Sequence, residues 1–120
     1  MESRTITAKE ADELLGKWAS ESRQVCFAVS LGSQGWHIPW FGPVRSAEPG
    51  RWIQTAEQTT NMVCTDLYDQ IVLMEDEDLT AIQFKSPKGF TAANFEVNLF
   101  IVKRGDITKQ SEALLKKMFR

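Results

Sequence analysis

The sequence is poor in the residues from which catalytic and metal sites are usually built. It contains one histidine, His37, and two cysteines, Cys26 and Cys64, in 120 residues. The cysteines lack the C-x-x-C spacing of a zinc site, and no nucleophile motif accompanies the histidine. The four adjacent carboxylates at 75–78 lack the pattern of a calcium loop and predict a solvated turn. The sequence therefore indicates no metal and no cofactor, and it favours a non-catalytic protein over an enzyme.

Long apolar runs and an excess of one charge are also absent. No segment approaches the length of a membrane span, and the first seven residues lack the basic start and apolar core of a signal peptide. The formal net charge of −2 gives no general attraction to nucleic acid or to an anionic membrane. We therefore expect a cytoplasmic protein with neither of these partners.

No linker, repeat or low-complexity tract divides the chain, so we expect a single domain over residues 1–120. A chain of this length buries about two-thirds of the surface that its unfolded form exposes, so its core needs no disulfide or metal. Both cysteines lie in apolar, strand-like runs. This placement predicts small buried hydrophobic residues rather than a disulfide or a reactive thiol.

The first regular element is an amphipathic helix. Thr7 and Glu10 have the spacing of a capping box, which predicts that the helix begins just after Thr7. The apolar residues that follow have helical spacing and form one stripe: Ala11, Leu14, Leu15 and Trp18. These signals predict a helix over about 8–19. A second helix is predicted after Asp106 or Thr108, either of which can cap it.

Between the helices the apolar period changes to that of β-strands. Residues 25–31 alternate large side chains with a small set, Cys26, Ala28 and Ser30, and this small set would let another element approach that face closely. Residues 36–47 are predicted to form a hairpin with this strand. Pro39 and Pro43 place the segment at an edge or interrupt it with a bend. Further strands are predicted over about 51–58, 61–68 with a continuation at 71–74, 79–85 and 95–102.

The last predicted strand has two different halves. Phe95, Val97, Leu99 and Ile101 make one continuous apolar face. The opposite face is polar at Glu96 and Asn98 and then apolar at Phe100 and Val102. We therefore expect the second half to be covered on both sides, and a helix is the natural cover.

The order of elements is helix, five or six strands, helix. Short connections without intervening helices indicate antiparallel pairing rather than parallel crossovers. The predicted fold is α+β, with an antiparallel, strongly curved five- or six-stranded sheet or partial barrel between an N-terminal and a C-terminal helix.

The aromatic residues of the first half form the candidate binding site. Indole rings offer a large apolar area and one N–H donor, which suits a core, a protein interface or a ligand pocket. An arginine nearby can add a charge-assisted or cation–π contact. All three environments stay open for this group. The candidate residues are Trp36, His37, Trp40, Phe41, Arg45 and Trp52.

Three functional hypotheses follow. The first is a non-catalytic association module that binds another protein or itself through the aromatic-rich strand pair and an exposed strand edge. The alternative is a small-molecule-binding domain with a tryptophan-lined pocket for a small apolar or aromatic ligand. The third is a small enzyme that uses His37 with Asp66 or Asp69, although the favoured interpretation of these carboxylates is that both reach water at an edge or bulge.

Overall fold

The computed structural model describes residues 2–31, 36–88 and 95–118, and the side chains of all of them except 31, 36–38, 95 and 117–118. The described residues form nine strands, two α-helices and one 3₁₀ turn: β1 (Glu2–Ile6), α1 (Ala8–Ser20), β2 (Val25–Leu31), β3 (Trp36–Gly42), β4 (Val44–Glu48), β5 (Arg51–Ala56), β6 (Thr59–Cys64), the 3₁₀ turn (Thr65–Leu67), β7 (Tyr68–Glu75), β8 (Leu79–Pro87), β9 (Phe95–Val102) and α2 (Ile107–Met118).

The strands form two antiparallel sheets. The larger sheet has the order β1-β7-β8-β9-β2-β3, and the smaller has the order β4-β5-β6. The predicted α+β fold, with a helix near each end, is confirmed. The described strands form an open six-stranded sheet, which agrees with the predicted five- or six-stranded sheet or partial barrel, and a separate three-stranded sheet that was not predicted.

Helix α1 begins at the predicted capping box. The Thr7 hydroxyl oxygen accepts from the backbone N–H of Glu10 at 3.1 Å, and the Glu10 carboxylate accepts from the backbone N–H of Thr7 at 3.2 Å. The Thr7 backbone N–H and the Arg4 side chain both donate to this carboxylate, so they lower the pKa of Glu10. The buried face of α1 carries three of the predicted apolar residues: Ala11, Leu15 and Trp18.

Strand β2 divides its side chains between the two faces of the larger sheet. Val25, Phe27 and Val29 pack on the side of α1 and the smaller sheet, which we call the first face. Cys26 and Ala28 pack on the opposite side, the second face, against Ile107, Leu114 and Leu115 of α2. The close approach predicted for the small residues is therefore confirmed. Burial raises the pKa of Cys26 to about 12, so this thiol stays protonated, as expected of a buried hydrophobic residue.

The aromatic segment 36–47 was predicted to lie at an edge or to be interrupted by a bend, and the structure shows an edge strand that ends before Pro43. The structure divides it into β3, which pairs with β2 at the edge of the larger sheet, and β4, which belongs to the smaller sheet. Pro43 lies between them and has no N–H to continue the ladder. At Gly42 the chain passes so close to β5 that an added Cβ would lie 2.8 Å from the Thr55 carbonyl oxygen. The hairpin prediction holds only for β3.

Gln54 joins the two sheets at this crossing. Its side chain is fully buried, and its Nε2 donates to the carbonyl oxygens of Val25 at 2.8 Å, Gly42 at 3.1 Å and Trp40 at 3.3 Å. Its Oε1 accepts from Asn61 Nδ2 at 3.1 Å. One amide therefore satisfies backbone groups of β2 and β3 from a strand of the smaller sheet.

The larger sheet separates two apolar cores. The first core fills the space between this sheet, α1 and the smaller sheet, and its largest buried side chains are Trp18, Phe27, Trp52 and Phe84. The second core lies under α2. Its buried members are Cys26, Ala28, Leu79, Ala81, Phe100, Ile107, Leu114 and Leu115.

One strand was missed, and several strand boundaries differ from the sequence prediction. Strand β1 was missed because four of its five residues are exposed, so it has no apolar alternation. The strand predicted over 61–68 begins at Thr59 and ends at Cys64, where the 3₁₀ turn follows.

In the predicted turn after β7, the Asp76 carboxylate accepts from the backbone N–H groups of Asp78 and Leu79. No helix among the described residues is long and apolar enough to cross a membrane.

Candidate ligand-binding site

Of the predicted site residues, Trp52 lies inside the first core. It is 7% exposed, and its Nε1 donates to Asp12 Oδ1 at 2.9 Å. The Thr65 hydroxyl donates to the same carboxylate oxygen at 2.8 Å. Because the only polar atom of the indole is bound within the protein, Trp52 ties α1 to the smaller sheet and offers no free donor to a ligand.

The other described members of the predicted site do not share one surface. Trp40 is half-buried and packs against the first core, which contains Trp52, whereas the next residue on β3, Phe41, packs against the second core. Arg45 is exposed on β4. The structure therefore brings Trp40 and Trp52 to one core and separates Phe41 and Arg45 from them.

The side chains of Trp36 and His37 lie outside the described residues, so their roles stay predictions. The backbone of His37 pairs with Ser30 in the β2–β3 ladder. Asp66 and Asp69, the carboxylates proposed to act with His37, are both exposed. Within the part of the chain that the structure describes, no group of three or more His, Cys, Asp or Glu side chains is placed to hold a metal ion.

A different group of polar side chains lies on the second face of the larger sheet. The register across β2, β9 and β8 aligns Ala28, Asn98 and Gln83 in one row. The row two residues further along aligns Ser30, Glu96 and Lys85. Side chains two residues apart on a strand share a face, so both rows lie on the face of Ala28 and the second core. We call Ser30, Gln83, Lys85, Glu96 and Asn98 the Asn98 patch.

Part of the Asn98 patch is internally hydrogen-bonded and part is not. Gln83 Nε2 donates to Glu96 Oε2 at 3.0 Å, and Lys85 Nζ lies 3.8 Å from Glu96 Oε1. Asn98, by contrast, is completely buried, and neither its Nδ2 nor its Oδ1 has a hydrogen-bond partner among the described residues. Leaving a buried polar group unpaired costs about 1–3 kcal/mol, so each such group needs an explanation.

The surroundings of Asn98 are apolar on one side and small on another. Phe100, two residues along β9 on the same face, is fully buried in the second core under α2. Across the β2–β9 ladder lie Ala28 and Ser30, whose side chains are short and buried. An amide carries two donor hydrogens and an acceptor oxygen. The Asn98 amide therefore has the donors and the acceptor to bond a carboxylate or amide group.

The sequence contains a signal for the Asn98 patch. Alternation along β9 places Glu96 and Asn98 on the same face as Phe100 and Val102, and the helix expected over the second half is α2, as confirmed by its packing. The first half keeps two polar residues on a strand whose centre is buried. Because asparagine is depleted in strands, its presence at a central position is the feature that points to a site.

No family model matches the chain, and no curated protein matches it. Among solved structures, a protein from Erwinia carotovora is similar with a TM-score of 0.56 at 9% sequence identity, over 97% of this chain and 73% of that one. A crystal structure of ChuX gives a TM-score of 0.53 at 15% identity, over 98% of this chain and 74% of that one.

A second structure, described as that of the heme binding protein ChuX, gives a TM-score of 0.50 at 13% identity. This similarity covers 98% of the present chain and 75% of that protein. At these identities the likeness establishes a common fold and leaves the ligand to be argued from the residues of this chain.

Proposed function

We propose that this chain is a small-molecule-binding domain whose ligand contacts the Asn98 patch. The observation that carries the proposal is the completely buried side-chain amide of Asn98, which has no partner among the described residues. A ligand that hydrogen-bonds to this amide would relieve a cost of about 1–3 kcal/mol per unpaired group. Local violations of this kind are retained at functional sites.

The structural neighbours support the small-molecule alternative over the association module as the main function. One neighbour that this chain matches along most of its length is described as a heme binding protein. Heme is a flat and largely apolar molecule with carboxylate groups at one edge. Its carboxylate edge is the kind of group that the Asn98 amide and the Lys85 ammonium can bond, so heme is the first ligand to test.

The Asn98 patch suits the carboxylate edge of such a ligand. The Asn98 amide can donate to one carboxylate oxygen, and the Lys85 ammonium can form a charge-assisted bond with another. Lys85 has a side chain that is 33% exposed and is held near Glu96, which in turn accepts from Gln83.

When bound, heme supplies an iron centre that takes axial ligands such as an imidazole nitrogen. The Asn98 patch itself contains no imidazole, thiol or thioether group. The one histidine of the sequence is His37 on β3, whose backbone pairs with Ser30 of the patch. His37 is therefore the residue to test as an iron ligand.

The proposal is tested by titrating hemin into the protein while heme absorbance and tryptophan fluorescence are recorded. We expect saturable binding at one site and a dissociation constant raised at least about tenfold, or 1.4 kcal/mol, by Asn98→Leu. The matched control is Thr55→Leu, which adds the same side chain at an exposed position of the smaller sheet and should bind as the wild type does. His37→Ala should change the heme absorbance spectrum while iron-free protoporphyrin still binds.

Two results would contradict this proposal. Binding of hemin that is equally strong in wild type and Asn98→Leu would remove the Asn98 patch as the site. Failure of hemin, protoporphyrin and a library of small carboxylates and amides to raise the melting temperature of the wild type would remove the function itself.

A further inference from the structure

The described strands leave four sheet edges, and three of them carry features that discourage pairing with another chain. Strand β1 carries the charged residues Glu2 and Arg4, and β3 contains Pro39. Strand β4 carries Arg45 and Glu48 and is preceded by a proline. Charged side chains and prolines are the usual protection of exposed sheet edges.

The fourth edge, β6, has none of this protection. Its sequence, Thr-Thr-Asn-Met-Val-Cys, contains no charged residue and no proline. Met62 is 56% exposed, and Leu67, just beyond the strand, is 51% exposed. Among the described residues these two are the large hydrophobic side chains that remain exposed. An unprotected edge that also presents apolar side chains is a template for strand pairing.

The ladder with β5 shows which backbone groups of β6 face outward. The two-residue turn Glu57–Gln58 closes the hairpin at Ala56 and Thr59. From that point, residue pairs that exchange backbone hydrogen bonds alternate with pairs that do not. Thr60, Met62 and Cys64 belong to the pairs that do not, so their backbone N–H and C=O groups point away from β5. The bond from the Thr65 backbone N–H to the Gly50 carbonyl oxygen at 2.9 Å continues the inward set.

We propose that β6 pairs antiparallel with β6 of a second copy of this chain, around a two-fold axis at Met62. In this register Met62 faces Met62 of the second copy, and Thr60 faces Cys64 on either side. All three outward-pointing residues then exchange backbone hydrogen bonds, and the side chains of Thr60 and Met62, which are exposed, and of Cys64, which is half-buried, stay on one face. Two smaller sheets would become one six-stranded sheet across the dimer.

A second copy fits this edge because nothing in the strand opposes self-pairing. Like charges directly opposite one another destabilise a ladder, and the paired segment contains no charge at all. The net charge of −2 per chain produces only weak repulsion between two copies. The short strand gives a small interface, so we expect a reversible dimer rather than an obligate one.

The test is a crosslink across the proposed axis. In a Cys64→Ser background, Met62→Cys should form a disulfide-linked dimer under mild oxidation, because facing Cα atoms in a bonded antiparallel pair lie about 5.5 Å apart, within disulfide range. The matched control is Arg45→Cys in the same background, which places an exposed thiol on the protected β4 edge of the same sheet. It should form dimer far more slowly.

Analytical sedimentation provides an independent test of the dimer. We expect wild type to dimerise reversibly and Met62→Lys to raise the dimer dissociation constant at least about tenfold, since the change adds edge protection and like charges at the axis. Circular dichroism checks that the variant is folded. A wild type that stays monomeric at concentrations up to about 500 µM overturns the proposal. Equal crosslinking rates for Met62→Cys and Arg45→Cys overturn it as well. Hemin binding by Met62→Lys should be unchanged, since β6 lies apart from the Asn98 patch.

Discussion

The two sides of the six-stranded sheet differ in whether their buried polar side chains are hydrogen-bonded within the protein. On the first face, Trp52, Gln54 and Asn61 are buried and each forms hydrogen bonds within the protein. On the second face, Asn98 is buried just as deeply, and no described residue bonds to its amide. The first face is a completed interior. The second face is covered by α2 around Phe100. Beside α2 it keeps a buried amide that no described residue bonds, which is the property expected of a ligand site.

This difference separates polar residues that hold the fold together from those available for function. A bonded buried amide contributes to stability and becomes costly when its partner is removed. An unbonded buried amide reduces stability until a ligand binds it. The same substitution should therefore have opposite effects on the two faces.

Gln54→Leu should have the largest effect on stability. The change removes the amide that satisfies the carbonyl oxygens of Val25 and Gly42 and leaves Asn61 without its acceptor. We expect the free energy of unfolding, measured in urea, to fall by about 3 kcal/mol or more. Gln58→Leu, at an exposed position, is the control and should change it by less than about 0.5 kcal/mol. A loss below about 1 kcal/mol for Gln54→Leu would show that the first face tolerates unpaired groups.

Trp52→Phe should have an intermediate effect. Phenylalanine keeps an aromatic ring in the first core but removes the N–H that donates to Asp12 and part of the ring packed near Gly16. We expect the free energy of unfolding to fall by about 2 kcal/mol, from a lost hydrogen bond to a carboxylate and lost packing. Hemin binding should not change. Impaired hemin binding in a folded Trp52→Phe protein would instead place the ligand at the aromatic residues of the first face.

The smallest effect on stability is expected at the capping box of α1, which lies on the side of the first face. The pKa of Glu10 is lowered below its ordinary 4.5 in the folded protein. A lowered folded-state pKa gives stability that is present above pH 4.5 and is lost as the pH falls through the folded pKa. Glu10→Gln should therefore reduce the melting temperature slightly at pH 7, and the difference from wild type should vanish towards pH 3. Glu13→Gln, at an exposed position of the same helix, is the control. A difference that persists at pH 3 would contradict a charge-dependent cap.

Local sequence signals predicted the parts of the fold that depend on neighbouring residues. The capping box at Thr7 and Glu10 located the start of α1 because its donors and acceptors lie within three residues. The small residues of β2 and the apolar second half of β9 predicted the close packing of α2, because strand periodicity alone assigns residues to faces. Pro39 correctly indicated an edge strand, since β3 ends the larger sheet.

Other features depend on partners that are distant in sequence. Trp52 is bound by Asp12, forty positions earlier, so the spacing of the tryptophans could not show that the indole N–H is already satisfied. The passage of the chain from β3 to β4 depends on the contact between Gly42 and Thr55, which no local pattern reveals. Asn98 was recognisable as a polar residue on a strand, but whether any described residue bonds to it depends on three neighbouring strands.

The most direct test of the difference between the two faces is the stability of Asn98→Leu and Asn61→Leu measured in parallel without ligand. Both residues are buried asparagines of similar size to leucine, but among the described residues Asn61 has a hydrogen-bond partner and Asn98 has none. We predict that Asn98→Leu raises the free energy of unfolding by about 1 kcal/mol and that Asn61→Leu lowers it by about 2 kcal/mol. A loss of stability in Asn98→Leu as large as that in Asn61→Leu would mean that Asn98 is already satisfied, and the account of the second face as a ligand site would fail.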